Sequence, residues 1–187
     1  MSIRETVYNI KSKIIYFFAH IRFYWLGFML FGDPGPKIKG PDMRSILDVL
    51  QPGDVLLRRF SNTLGSILTP GYFSHAAFYY GDNKVIHMLG EGIVEQDILT
   101  FMCCDDVVVL RPPSEKILLA REKSQFYLKE NIEYDYHFDK VSKKRFYCTE
   151  FVDNIFDYPV KSIIKHNDIL PDDFLDTADF FKVVWRK

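Results

Sequence analysis

An α+β domain, an antiparallel sheet with helices packed on it, is the architecture the sequence predicts for residues 42–187. Three observations lead there. Strand-like runs rich in β-branched and aromatic residues follow one another with no helix between them. Gly81-Asp82-Asn83 separates two such runs and reads as a hairpin turn. Stretches of helical period come mainly after Pro113. The chain has 187 residues, 48% of them hydrophobic and 26% charged, the balance of a folded domain able to bury its own core.

Residues 1–32 differ from the rest. Ile14 to Gly32 is almost wholly apolar and aromatic, and Arg4, Lys11, Lys13 and Arg22 outweigh Glu5. Val7, Ile10, Ile14, Phe17, Ile21, Trp25 and Phe28 recur at three or four residues, which predicts a helix over 7–31. Four readings compete for it. His20 and Arg22 interrupt a signal-peptide core, and no small-residue cleavage site follows. A spanning helix needs roughly 20 apolar residues and would carry a charge inside. A core helix is the plain reading. An amphipathic helix at a membrane surface suits the basic face and the aromatic content best.

Pro34, Gly35, Pro36, Gly40 and Pro41 make residues 33–41 a linker. Pro41-Asp42 opens a short helix to Leu50, Gln51–Asp54 is a turn, and Val55–Phe60 is a strand. Residues 61–74 form a loop. Ser74–Tyr80 and Val85–Leu89 are the hairpin strands, and Gly92–Glu95 and Val107–Arg111 add two more. Ser114 caps a helix to Lys129, with Glu115 favourable in its first turn. Cys148–Tyr158 is a helix with Phe151, Val152, Ile155 and Phe156 on one face. Pro171–Asp176 is a helical turn and Phe180–Trp185 a last strand.

The net charge of −1 argues against a strongly basic nucleic-acid binder. Three cysteines exclude a dense disulfide framework, and a reducing compartment fits them, so a cytoplasmic or membrane-associated location is favoured over secretion. No metal site and no cofactor are indicated: there is no CxxC. Cys103 and Cys104 are adjacent and read as structural. Cys148 stands where a loop runs into a helix. Unpaired backbone N–H groups and the positive dipole end at that position favour the thiolate. A buried structural cysteine is the plain alternative.

His75 and His87 complete the pattern. If Gly81–Asn83 is a three-residue loop, Tyr80 pairs with Lys84, Ala77 with His87, and His75 lies diagonal to His87 on one face. A four-residue loop would part them. On one face, one imidazole can take a thiol proton while the other orients it.

The order GDVLL, SHAAFYYGDNKVIH, YDYHFD, FYCTEFV over residues 50–158 resembles the circularly permuted papain-fold amidases of the YiiX/YaeF type. These are relatives of NlpC-type cell-wall peptidases and of lecithin:retinol acyltransferase-like enzymes. The resemblance implies a permuted papain-like (NlpC-like) α+β fold for residues 42–187, in which the His hairpin precedes the Cys helix. It implies Cys148 as nucleophile, His75 as base and His87 as the third polar residue. Many YiiX-type members have Glu at that third position, which leaves Glu91 and Glu95 as alternative orienters. Tyr134 resembles a tyrosine that helps bind the oxyanion. The implied activity is cysteine hydrolysis of an amide or ester, as amidase, esterase or peptidase, through a Cys148 acyl-thioester. Lipid- and murein-derived substrates both occur among the relatives; the amphipathic pattern of residues 7–31, which has no counterpart in the family, adds a membrane surface as a further expected partner. An acyltransferase on the same scaffold and a catalytically idle binding protein are the alternatives.

Overall fold

The computed structural model describes residues 22–23, 29–30, 35–61, 63, 66, 69–136, 144–164 and 168–187. Two short strands, β1 (Arg22–Phe23) and β2 (Met29–Leu30), pair antiparallel, with Arg22 opposite Leu30 and Phe23 opposite Met29. This corrects the helix expected over 7–31 at four positions: Arg22, Phe23, Met29 and Leu30 are strand residues. The rest of that expected helix, residues 7–21, 24–28 and 31, lies outside the described residues. Among the described residues no helix is long and apolar enough to cross a membrane.

Helix α1 (Gly40–Val49) starts at Lys39, whose backbone N–H donates to the Asp42 carboxylate at 2.9 Å. Then come β3 (Val55–Arg59), β4 (His75–Gly81), β5 (Lys84–Leu89), β6 (Gly92–Asp97), α2 (Ile98–Phe101) and β7 (Asp106–Arg111). They are followed by α3 (Ser114–Glu130), β8 (Glu133–Tyr134), β9 (Arg145–Phe146), α4 (Cys148–Ile155), α5 (Asp173–Asp176) and β10 (Lys182–Arg186). The main sheet runs β10-β7-β3-β4-β5-β6, and every pair in it is antiparallel. Pro113 rather than Ser114 caps α3, whose helical residues begin at Ser114 itself.

Alternation along the strands makes two cores, one on each face. On one face Leu57, Ala76, Phe78, Ile86 and Met88 pack with Phe151, Val152 and Ile155 of α4. On the other, Leu56, Ala77, Tyr79 and Val85 pack with Ile46 of α1 and Ile98 and Phe101 of α2. Each fully buried Leu, Ile or Phe contributes about 1.5–3 kcal/mol of transfer free energy. All eight residues of α4 are buried, so it is a central helix with no solvent face. It ends three residues before the predicted Tyr158, because Asp157 and Tyr158 turn to φ 64° and 62°. The buried Asp153 carboxylate accepts the N–H groups of Val160 and Lys161 at 2.8 and 3.1 Å, which folds the chain back there.

The turn before β3 needs glycine. Gly53 has φ +102°, and a Cβ there would stand 2.7 Å from the Ile117 side chain of α3. Beside it, Asp54 takes a two-pronged contact from Arg111, at 2.9 Å from Nε and 2.8 Å from an Nη, tying the start of β3 to the end of β7.

Candidate active site

The hairpin of β4 and β5 decides whether two histidines meet. Its turn holds two residues, Asp82 and Asn83, both left-handed at φ 51° and 60°, as tight hairpins require. A bulge between Tyr79 and Gly81 supplies the odd residue of the offset, so Phe78 faces Ile86 and Tyr79 faces Val85. That register is the one a three-residue loop would give. His75 Nε2 accordingly lies 2.8 Å from His87 Nδ1, with the rings edge-to-face. The Phe101 ring of α2 packs on both, 5.4 Å from the His87 centroid and 6.1 Å from that of His75.

Arg58 of β3 stands directly opposite His75. It is buried, donates to the Phe101 carbonyl at 3.1 Å and lies 4.2 Å over the Phe101 ring and 4.9 Å over that of Phe60. Among the described residues no carboxylate pairs with it. Burial pulls its own pKa down to about 10. Burial first and the Arg58 charge second pull His87 down to about 3, and the same two causes hold His75 well below its usual value. Both imidazoles are therefore neutral at pH 7.

Cys148 is the first residue of α4, and the residues on either side of it are clamped to Ile169. The Tyr147 hydroxyl accepts the Ile169 N–H at 2.9 Å, and Thr149 donates to the Ile169 carbonyl at 2.5 Å. The ladder between β4 and β5 stops at Phe78 and Ile86, which leaves the start of β4 unpaired on that side. The backbone N–H groups of Ala76, one residue past His75, of Cys148 itself and of Thr149 lie around the Cys148 sulfur as favourable dipoles. Those donors and Arg58 favour the thiolate, but burial outweighs them and pushes the thiol up. The helix start thus does not by itself give the low thiol pKa expected of it; thiol and imidazoles rest neutral together.

Tyr134 reaches the same place through the short parallel pair of β8 with β9, in which Tyr134 faces Phe146, two residues before Cys148. Burial first, and then Cys148, hold its phenol well above the usual value, so it stays a donor. Tyr136 stacks on it at 4.8 Å and donates to the Gly90 carbonyl at 2.7 Å.

A family model for the permuted papain-like amidase enzymes of the YaeF/YiiX type matches residues 49–185. The chain belongs to the permuted papain-like amidase family. Neither a search of curated proteins nor one of solved structures returned a match. Membership in the permuted amidases accounts for the chain order, with the His strands ahead of the Cys helix. It also accounts for the mainly antiparallel sheet.

The other sequence candidates lie apart from this cluster. Glu95 faces Ile86 across β5 and β6 and pairs with Lys84 at 2.7 Å, so it points away from His87. Glu91 is exposed at the turn between those strands. Cys103 is exposed and donates to the Leu99 carbonyl; Cys104 is buried, and burial pushes its thiol up to about 12. Arg58 is the residue that sequence reasoning missed in this amidase. The signal was present: in Val55–Arg59 alternation puts position 58 on the side of Leu56, so a strand arginine was bound for the core.

Proposed function

We propose that this amidase is a cysteine-dependent hydrolase in which Cys148 attacks the carbonyl of an amide or ester, with His75 as base and His87 as its orienter. The observation that carries the reading is the 2.8 Å contact of His75 Nε2 with His87 Nδ1, with the Cys148 thiol beside the Ala76 backbone, one residue past His75. Since Nε2 of His75 is committed to His87, Nδ1 is the nitrogen that serves the thiol. The sulfur–carbon bond forms as the thiol proton passes to Nδ1. The tetrahedral oxyanion draws on the Cys148 N–H and the Tyr134 hydroxyl. The bond to the leaving amine or alcohol then breaks as His75 returns the proton to it, leaving an acyl-thioester. Water, deprotonated by His75, releases the acid and restores the thiol.

Because thiol and imidazole rest neutral, attack requires the proton to move within the site rather than a preformed ion pair. Arg58 stabilises the negative sulfur transiently, as a fixed charge nearby.

The test is intact-mass spectrometry after brief mixing with p-nitrophenyl acetate, then with murein peptides and acyl lipids. We expect an acyl adduct on Cys148, lost with hydroxylamine, absent in Cys148→Ala and kept in the Cys103→Ser/Cys104→Ser double variant. Equal loss in both variants, with folding intact, defeats the assignment. Acyl transfer to an added amine in preference to water would make the protein a transferase instead.

A further inference from the structure

His87 uses one ring nitrogen, Nδ1, against His75. The other, Nε2, is buried and has no hydrogen-bond partner of good geometry among the described residues. A second buried atom in the same condition is Oε1 of Gln96. Burying either group alone is unfavourable, so the two orphans call for a common account. They belong to paired strands. Val85 faces Gln96 and His87 faces Val94 across β5 and β6, which puts Gln96 diagonal to His87 on one sheet face. The Gln96 amide also opposes the loss of basicity that burial and Arg58 impose on His87. An amide does that by offering its oxygen to a ring N–H.

We propose that Gln96 is a positioning residue that fixes the tautomers of both histidines, its Oε1 accepting the His87 Nε2 proton so that Nδ1 of His75 is left as a bare lone pair. The number of protons on the two rings sets the direction of the chain. A neutral imidazole has one N–H. With the His87 proton on Nε2, its Nδ1 is an acceptor and takes the Nε2 proton of His75, 2.8 Å away. His75 then has no proton on Nδ1, which is free to accept one. In the opposite chain, His87 Nδ1–H donates to His75 Nε2, the His75 proton sits on Nδ1, and no base faces the thiol. The groups around His87 are Arg58 from β3, His75 from β4, Gln96 from β6 and the Phe101 ring from α2. Of these only Gln96 offers Nε2 an acceptor.

The inference deepens the reading of His75 as base and rests on it, yet it can be tested without activity. Long-range nitrogen–proton spectra of the histidine-labelled full chain at neutral pH report each tautomer directly. Wild type and Gln96→Glu are expected to carry Nε2–H on both His75 and His87. Gln96→Leu is expected to shift both toward Nδ1–H. It should also slow Cys148 acylation by p-nitrophenyl acetate by about 10–100-fold, in the rate rather than in apparent binding. Gln96→Glu should restore the rate. Nδ1–H on His87 in wild type, or unchanged tautomers in Gln96→Leu, overturns the proposal. If Gln96→Leu does not fold, the wild-type and Gln96→Glu spectra decide alone. The same spectra on Cys148→Ala separate the two ideas: continued acylation there defeats the nucleophile assignment, while its tautomers still judge Gln96.

Discussion

Arg58 is a cation buried among groups that must gain or lose a proton, with two aromatic rings and a carbonyl as its surroundings. Its charge depresses the basicity of His75 and His87 and favours the Cys148 thiolate. Removing the charge reverses all three. In Arg58→Met we expect iodoacetamide labelling of Cys148 to need higher pH, and the acid limb of acylation to move up as His75 becomes more basic. The rate at neutral pH should fall on the order of tenfold, about 1.4 kcal/mol at the transition state. Thermal stability should hold or rise, since exchanging a buried ion for an apolar side chain is often neutral or stabilising. An unchanged labelling profile would remove Arg58 from the chemistry. His87 can be probed by shape and charge: His87→Glu should keep more acylation than His87→Ala, because a carboxylate also accepts the His75 Nε2 proton. Equal rates would show that His75 needs no orienter. At this scale the sequence was legible where spacing carries information. The twelve-residue step from His75 to His87 became a contact, whereas the meeting of Arg58 with His75 and the place of Gln96 beside His87 were hidden, because nothing in a strand's own residues names its cross-strand neighbours.

Short elements set the site. The hairpin turn came out one residue shorter than expected, and a bulge returned the lost residue, so the facing of the histidines survived an error in the loop. Helix α4 was legible from its apolar period, but its end was not, because that end depends on Asp153 reaching forward to Val160 and Lys161. Burial raises the Asp153 carboxyl to about 6, above the 3.8 of an ordinary aspartate. The folded state therefore holds that proton more tightly than the unfolded chain. The stability this contributes is complete below about pH 4 and is lost as pH rises through about 6, a change on the order of 3 kcal/mol. Melting temperatures at pH 5 and pH 7.5 should thus fall more steeply with pH in wild type than in Asp153→Asn, which has no such proton to lose. Parallel slopes in the two proteins would refute the coupling. The N-terminal strand pair shows the limit of periodicity: Arg22–Phe23 and Met29–Leu30 pair as strands within a stretch whose spacing satisfies a helical template.

For the molecule as a whole, the last strand closes the structure onto its first described helix. Trp185 Nε1 donates to the Ser45 hydroxyl at 3.0 Å, and Lys187 Nζ meets the Lys37 carbonyl at 2.7 Å and Asp42 at 2.9 Å. Deleting residues 182–187 uncovers β7 and cuts these ties. Melting temperature should drop by roughly 2–4 °C for each kcal/mol lost, with the acylation rate of the folded fraction unchanged, since β10 lies across the sheet from the histidines. A rate that falls with β10 would mean the sheet edge shapes the site. The antiparallel, helix-covered architecture could be read from the chain because strand runs without intervening helices leave few alternatives. The strand order could not, since β10 joins β7 from the far end of the sequence and no local signal records that pairing.

The order of His hairpin and Cys helix has a consequence in time. During synthesis the hairpin can form as soon as its own residues emerge, because its contacts are local. The thiol arrives a long stretch of chain later, on a helix that is buried on every side and held through Ile169, which emerges later still. A nascent chain ending before Ile169 would have both histidines and the sulfur yet lack the two contacts that clamp the residues on either side of Cys148. On the proposed mechanism such a chain would be inert, and reactivity would come only once the fold is nearly finished.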